Sequence, residues 1–253
     1  MAGPDGGGGD PPVPAVYLLG AAEAREGLGL GAAGREALAA RVTAVINAAY
    51  VRGEHMHTQI WRPVVAADGT PGPAPRTDRA EVAGLLAEDR LVLLLAADAD
   101  LAAWRAAGEA GRKRYRVVER AAGALAERLR GSAPGEPVVL GSVKCERLTE
   151  EECELGMLGV HQEWLRRGLG EVLIKAAEAK ARRMGSSTMK LEILSPRDVE
   201  HPMKAMLKSW YTKRHGYVEA EQQDFAAEFP DLAPLLAVPC DFTVYRKPLM
   251  PEE

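Results

Sequence analysis

The amino-acid pattern predicts an α/β fold, an α+β mixed sheet flanked by helices, on three observations. In the back half, segments of strand and helix period follow one another as strand, strand, helix, strand, helix, strand, strand, an order that builds a mixed sheet. In the front half a long stretch has apolar residues at helical spacing. After it, residues 91–96 form a continuous apolar run of strand length, as expected of a strand covered on both faces.

Each element has its own signal. Residues 1–14 are rich in Gly and Pro and lack a basic region followed by an apolar run. They read as a disordered tail, not a secretory signal, and residues 15–253 as one domain. Residues 16–19 suit a short first strand. In residues 35–52, Leu38, Val42, Val45, Ile46 and Ala49 share a helical face, with Gly53 placed to cap its end. Residues 66–76 are a Gly- and Pro-rich loop, and residues 77–88 a short helix opening on Asp78 and Glu81.

Residues 98–137 are rich in Ala and Arg, with Val117, Val118, Ala121, Leu125 and Leu129 roughly on one helical face. They are expected to form a solvated helical insertion. The cluster Arg112, Lys113, Arg114 and Arg116 alternatively suits docking of an acidic partner or phosphate. Residues 138–148 and 154–160 read as a strand hairpin around a polar turn. Residues 168–184 form an amphipathic helix, Leu169, Val172, Leu173, Ala176 and Ala179 inward, with the pairs Glu171–Lys175 and Glu178–Arg182 on the wet side. A strand at 189–194, a helix at 204–213 and strands starting at 217 and 241 complete the chain.

Composition excludes several functions. The net charge of −4 argues against a general nucleic-acid binder, which needs a basic excess. The three cysteines, Cys145, Cys153 and Cys240, form no C-x-x-C pair, so neither a disulfide framework nor a zinc knuckle is indicated, and a reducing, cytoplasmic setting fits. No stretch approaches the length of a membrane span. Ser142, Ser195 and Ser209 lack a G-x-S-x-G context. In Glu54-His55-Met56-His57 two histidines lack an obvious third ligand, so no metal is expected.

The strongest chemical signal is Arg166-Arg167-Gly168-Leu169-Gly170-Glu171, which follows a strand and opens a helix. Glycines let the backbone curl so that successive N–H groups converge at a helix N-terminus, a site for a pyrophosphate. Alone, G-x-G at a helix start equally marks close helix–strand packing. A dinucleotide fingerprint fails, since Leu173 stands at its third glycine.

Residues 154–170 as a set resemble the signature strand, loop and phosphate turn of the GNAT acetyltransferase superfamily, and residues 189–217 its following strand and helix. Gly168 and Gly170 match the small positions of the turn; Leu165 stands where the pattern has Gln or Arg. Trp210-Tyr211 precedes Gly216-Tyr217 with one residue more than the family spacing, so the family's tyrosine slot falls on Tyr211 by identity or on Thr212 by strict count.

The resemblance implies a GNAT-like acyl-CoA N-acyltransferase fold. It further implies acetyl-CoA as co-substrate and a small-molecule or peptide amine as acceptor, attacking directly. Cofactor contacts are expected from Leu158, Gly159, Val160, Leu165, Arg166, Arg167, Gly168, Leu169, Gly170 and Glu171. Glu154 is the expected base, with Glu192 the runner-up, and Tyr211 the expected acid. Glu154 and Tyr211 each have a plainer reading, Glu154 as a strand-edge carboxylate facing water and Tyr211 as a core aromatic. The alternative for the whole chain is a non-catalytic GNAT-like module binding coenzyme A or a partner protein.

Overall fold

A computed structural model describes residues 13–55, 59–66, 68–106, 115–130 and 135–250. Residues 1–12 of the tail expected at 1–14, the basic residues 112–114 and His57 lie outside the described residues. In chain order the elements are β1 (Ala15–Gly20), α1 (Ala21–Gly27), α2 (Ala32–His55), β2 (Val64–Val65), β3 (Pro71–Gly72), α3 (Arg79–Ala87), β4 (Leu91–Ala96), α4 (Asp98–Ala106), β5 (Arg116–Glu119) and α5 (Ala122–Arg130). Then come β6 (Val138–Arg147), β7 (Glu152–Val160), α6 (Leu169–Arg183), β8 (Thr188–Pro196), α7 (Pro202–Ser209), β9 (Val218–Asp224), α8 (Phe225–Glu228) and β10 (Cys240–Pro248).

Eight strands form one sheet in the order β5-β1-β4-β6-β7-β8-β10-β9, and β2 pairs only with β3. The β1–β5 and β7–β8 pairs are parallel and the rest antiparallel, so the sheet is mixed as the sequence order predicts. β4 sits inside it with all six residues buried, because helices cover both faces. Val92, Leu94 and Ala96 pack with Leu173, Ile174 and Ala177 of α6. Leu91, Leu93 and Leu95 pack with Leu38, Val42 and Ile46 of α2 and with α3. Burying each such side chain is worth about 1.5–3 kcal/mol, so this two-sided core anchors the fold.

Three local expectations are corrected. Gly53 does not end α2, which runs on to His55; Glu54 is buried against tertiary partners that hold the last turn. Among the described residues of 98–137 are two helices, α4 and α5, but Val117 and Val118 lie in β5, not on a helix face. These β-branched neighbours pair with Val16 and Tyr17 on the open edge of β1, and that pairing outweighs their accidental helical spacing. Glu178 is not on a wet face: it is buried, with Lys247 Nζ at 2.8 Å and the Tyr217 hydroxyl donating to it at 3.1 Å. Its i,i+4 partner Arg182 stands farther off, at 3.9 Å.

Removing one member of a buried ion pair strands the other charge. Glu178→Ala is therefore expected to lower stability by about 2–3 kcal/mol, at the low end for buried pairs because the Lys247 side chain keeps some exposure. Thermal or urea unfolding measures it.

Candidate functional site

The site begins where two strands part. β7 and β8 pair in parallel only from Glu152↔Thr188 to Glu154↔Lys190. Beyond that point β7 continues along β6 as far as Val160, and β8 continues along β10 as far as Pro196. A wedge therefore opens between two strands that are each anchored on their outer side.

A bulge accompanies the parting. Ser142 pairs with Gly159 and Lys144 with Gly156, so Val143 of β6 faces both Met157 and Leu158 of β7. Met157 takes a left-handed φ of 47°, a conformation that costs a side-chain-bearing residue about 1–2 kcal/mol. Gly159 passes so close under α2 that a Cβ there would lie 3.3 Å from Ile46 Cα and 3.4 Å from the Val45 carbonyl.

The wedge leads into a cavity of about 660 Å³ between α2, β7, β8, α7 and the segment after α8. Glu154 and Glu192 both line it. Neither carboxylate stands alone: Lys144 Nζ is 2.5 Å from Glu154, and Lys190 Nζ is 2.7 Å from Glu192. Lys144 also reaches Glu146 at 3.0 Å, and Arg90 holds Glu146 from the other side at 2.8 Å. Burial works to lower the Lys144 pKa, but Glu154 and Glu146 outweigh it and hold the ammonium above the ordinary lysine value.

This lysine was missed in the sequence. Its signal was the hairpin itself, because pairing across the 149–151 turn sets Glu146 opposite Glu154, and two like charges facing each other need a cation.

Tyr211 lines the same cavity and is buried. Burial, then the neighbouring Tyr50, pushes its pKa well above the ordinary phenol, so it stays protonated at neutral pH. Residues 210–214 form a π-helical turn, the geometry by which a helix absorbs one extra residue. The additional residue before Gly216 is taken up there. The Thr212 hydroxyl instead donates to the Lys208 carbonyl at 2.9 Å, and Thr212 is not among the cavity's lining residues.

At the other end of the wedge, Gly168 caps α6 with φ 87°, a left-handed conformation that suits glycine. Among the described residues, the N–H groups of Gly168, Leu169 and Gly170 find no backbone carbonyl, as befits a helix start open to an anion. Arg166 is exposed in a left-handed conformation, φ 60°. The Arg167 guanidinium lies 4.7 Å from both the Trp104 and Trp164 rings. Leu165 is exposed and adds no charge.

Leu158 and Val160 are half-buried against the core beneath α6, whereas Gly159 faces α2. Leu169 is buried and Gly170 lies against Trp210. Glu171 binds Lys175 at 2.9 Å and Arg214 at 3.0 Å. The expected residues thus occupy two ends of one wedge. Tyr50, Trp61, Lys204 and the residues after α8 also line the cavity and carried no local signal, since they come from segments far apart in sequence. His161 caps the turn at 162–164 by accepting the Glu163 N–H. No metal-binding cluster occurs among the described residues, and none of their helices is long and apolar enough to cross a membrane.

Residues 99–217 match the family described as Acetyltransferase (GNAT) family. The matched span holds the wedge, the glycine turn and the π turn. No curated protein matches the chain. Among solved structures, yncA from Salmonella typhimurium with its cofactor acetyl-CoA is 14% identical, covers 86% of this chain and 92% of its own, and has a TM-score of 0.45. An aminoglycoside 6'-N-acetyltransferase complexed with coenzyme A is 10% identical, with coverages of 86% and 93% and a TM-score of 0.45. A GNAT family acetyltransferase from Elizabethkingia anophelis with acetyl-CoA bound is 14% identical, with coverages of 44% and 69% and a TM-score of 0.35.

The glycine turn carries a pH dependence. Hydrogen bonds from Lys175, then Arg214, pull the Glu171 pKa from 4.5 down to about 2. A depressed carboxylate stabilises the fold above its ordinary value and loses that contribution as pH falls through the folded one. Wild type should therefore lose more stability than Glu171→Gln between about pH 4.5 and pH 2, as acid titration followed by circular dichroism will show.

Proposed function

We propose that this chain, whose residues 99–217 match the GNAT acetyltransferase family, moves the acetyl group of acetyl-CoA to a primary amine by direct attack, as a cytoplasmic enzyme. The observation that carries the reading is the wedge itself. It has a helix N-terminus open to phosphate at one end and a cavity with two carboxylates and a phenol at the other. The two ends fit the two parts of the co-substrate: diphosphate suits the N–H groups at residues 168–170 with Arg166 beside them, and the extended pantetheine arm suits the unpaired edge of β7.

Bound in this way, the thioester supplies the acyl group and its sulfur is the leaving atom. Backbone N–H groups of β7 beyond the parting polarise the carbonyl and take up the oxyanion charge. Glu154 removes the proton that the amine must lose, directly or through a water, while Lys144 fixes the carboxylate's position. The amine nitrogen then forms the C–N bond and the C–S bond breaks; the Tyr211 hydroxyl delivers a proton to the departing thiolate, and the second proton lost by the nitrogen restores the phenol through solvent. Glu192 is the second candidate base by its place on β8. Two observations favour the rival reading, a non-catalytic module binding coenzyme A. Leu165 stands where the family pattern has Gln or Arg, and Lys144 already occupies Glu154.

Thiol release from acetyl-CoA over an amine panel separates the two readings. Glu154→Gln is expected to lower turnover by about a hundred- to ten-thousand-fold, with the deficit shrinking as pH rises toward the amine's own pKa near ~10.4. Undiminished turnover at every pH would remove Glu154 from the mechanism and point to Glu192 or solvent. Tyr211→Phe is expected to slow turnover while sparing coenzyme A affinity, and Thr212→Val to leave both unchanged.

The anion end is tested by calorimetry with coenzyme A. Gly170→Glu should abolish most of the affinity. Gly170→Ala, whose Cβ meets only the edge of the Trp210 ring at 3.1 Å, should retain more of it. Equal losses would assign the effect to packing rather than charge.

A further inference from the structure

All three phenylalanines of the chain line the same cavity. Phe225 opens α8, Phe229 follows it and Phe242 lies on β10. Their ring centroids are 5.3, 5.3 and 5.8 Å apart, and Trp61 stands edge-on to Phe225 at 5.6 Å. Phe225 is buried, but Phe229 remains 43% exposed. Leu232 and Leu235, the next apolar residues lining the cavity, are 43% and 50% exposed. Four of the chain's thirteen aromatic residues stand on this one wall, and part of it is left uncovered.

The wall is held in place by bonds from outside it. The Trp61 indole N–H donates to Glu54 at 2.8 Å, and Lys204 donates to the same carboxylate at 2.9 Å in a buried pair. The Arg62 N–H bonds the Leu235 carbonyl at 2.8 Å, the Arg62 guanidinium the Leu236 carbonyl at 2.9 Å, and the Ala237 N–H the Ile60 carbonyl at 2.8 Å. The segment carrying Trp61 is thereby stitched to the segment after α8, so the wall is preformed.

Charge narrows what can lie there. The cavity is lined by four cationic side chains, Arg62, Arg76, Lys144 and Lys204, against three carboxylates, Glu54, Glu154 and Glu192. Each of those carboxylates already has a lysine partner. A polycationic acceptor needs surplus carboxylates to replace its hydration, and this lining has none.

We infer that the acceptor is a singly charged primary amine carrying an aromatic or branched apolar group, which lies on the Trp61–Phe229–Leu232 wall while its nitrogen faces Glu154. This inference rests on the acetyl-transfer reading above. Phenethylamine, ethylamine and spermidine are the probes. Phenethylamine should exceed spermidine in kcat/KM by at least about tenfold, the scale on which apolar pockets discriminate. Phe229→Ala should lower the phenethylamine value by about tenfold and the ethylamine value by less than about twofold. Leu232→Ser serves as a second variant on the exposed part of the wall, with melting temperature checked for both.

Calorimetry on coenzyme A-loaded protein measures phenethylamine binding independently of turnover. Tight phenethylamine binding, weakened by Phe229→Ala but with no thiol release, supports the wall and overturns acetyl transfer. Preference for spermidine, or phenethylamine parameters unmoved by both variants, overturns the wall.

Discussion

Everything distinctive in this molecule depends on a parallel strand pair that stops after three residues. Backbone groups in a sheet interior are normally all paired, and a buried orphan costs about 1–3 kcal/mol. The parting of β7 from β8 is tolerated because each strand keeps a full antiparallel ladder on its other edge, β7 with β6 and β8 with β10. The bulge at Met157 and the close passage of Gly159 beneath α2 turn β7 away from β8. The result is an unpaired strand edge inside the protein, which water or an extended ligand must satisfy.

The charges around the wedge follow from the same hairpin. Antiparallel register sets Glu146 opposite Glu154, and that arrangement is stable only because Lys144 contacts both and Arg90 braces Glu146. The candidate base is therefore one end of a fixed chain of charges, whose position is set before any ligand arrives. On the opposite wall, Lys204 and Glu54 do the same for Trp61. Paired charges of this kind add little net stability, but they hold side chains in one arrangement, as a preorganised site requires.

The two ends of the wedge are coupled through one short segment. Trp210 lies against Gly170 at the glycine turn, while Tyr211, the next residue, lines the cavity. The π turn at 210–214 lets consecutive residues serve both ends, and Arg214 at its close ties back to Glu171. A substitution in this turn will be felt at both ends.

The sequence by itself determined what periodicity and local chemistry can carry. It determined the mixed α/β order, the buried run of β4, the β6–β7 hairpin, the glycine turn that starts α6, and the two alternatives for the tyrosine slot. Each of these elements is signalled within a short stretch of chain, where alternation, helical spacing and turn chemistry act directly. Tertiary structure alone decided the rest. Val117 and Val118 became a strand because β1 offered an open edge. Glu178 became buried because Lys247 and Tyr217 came from the far end of the chain to meet it. The Arg167 guanidinium came to lie against two indoles, Trp104 and Trp164. The aromatic wall came from residues 61, 225, 229 and 242, which only the folded sheet brings together. Such contacts are chosen by competition among partners distant in sequence, and no local pattern records that competition.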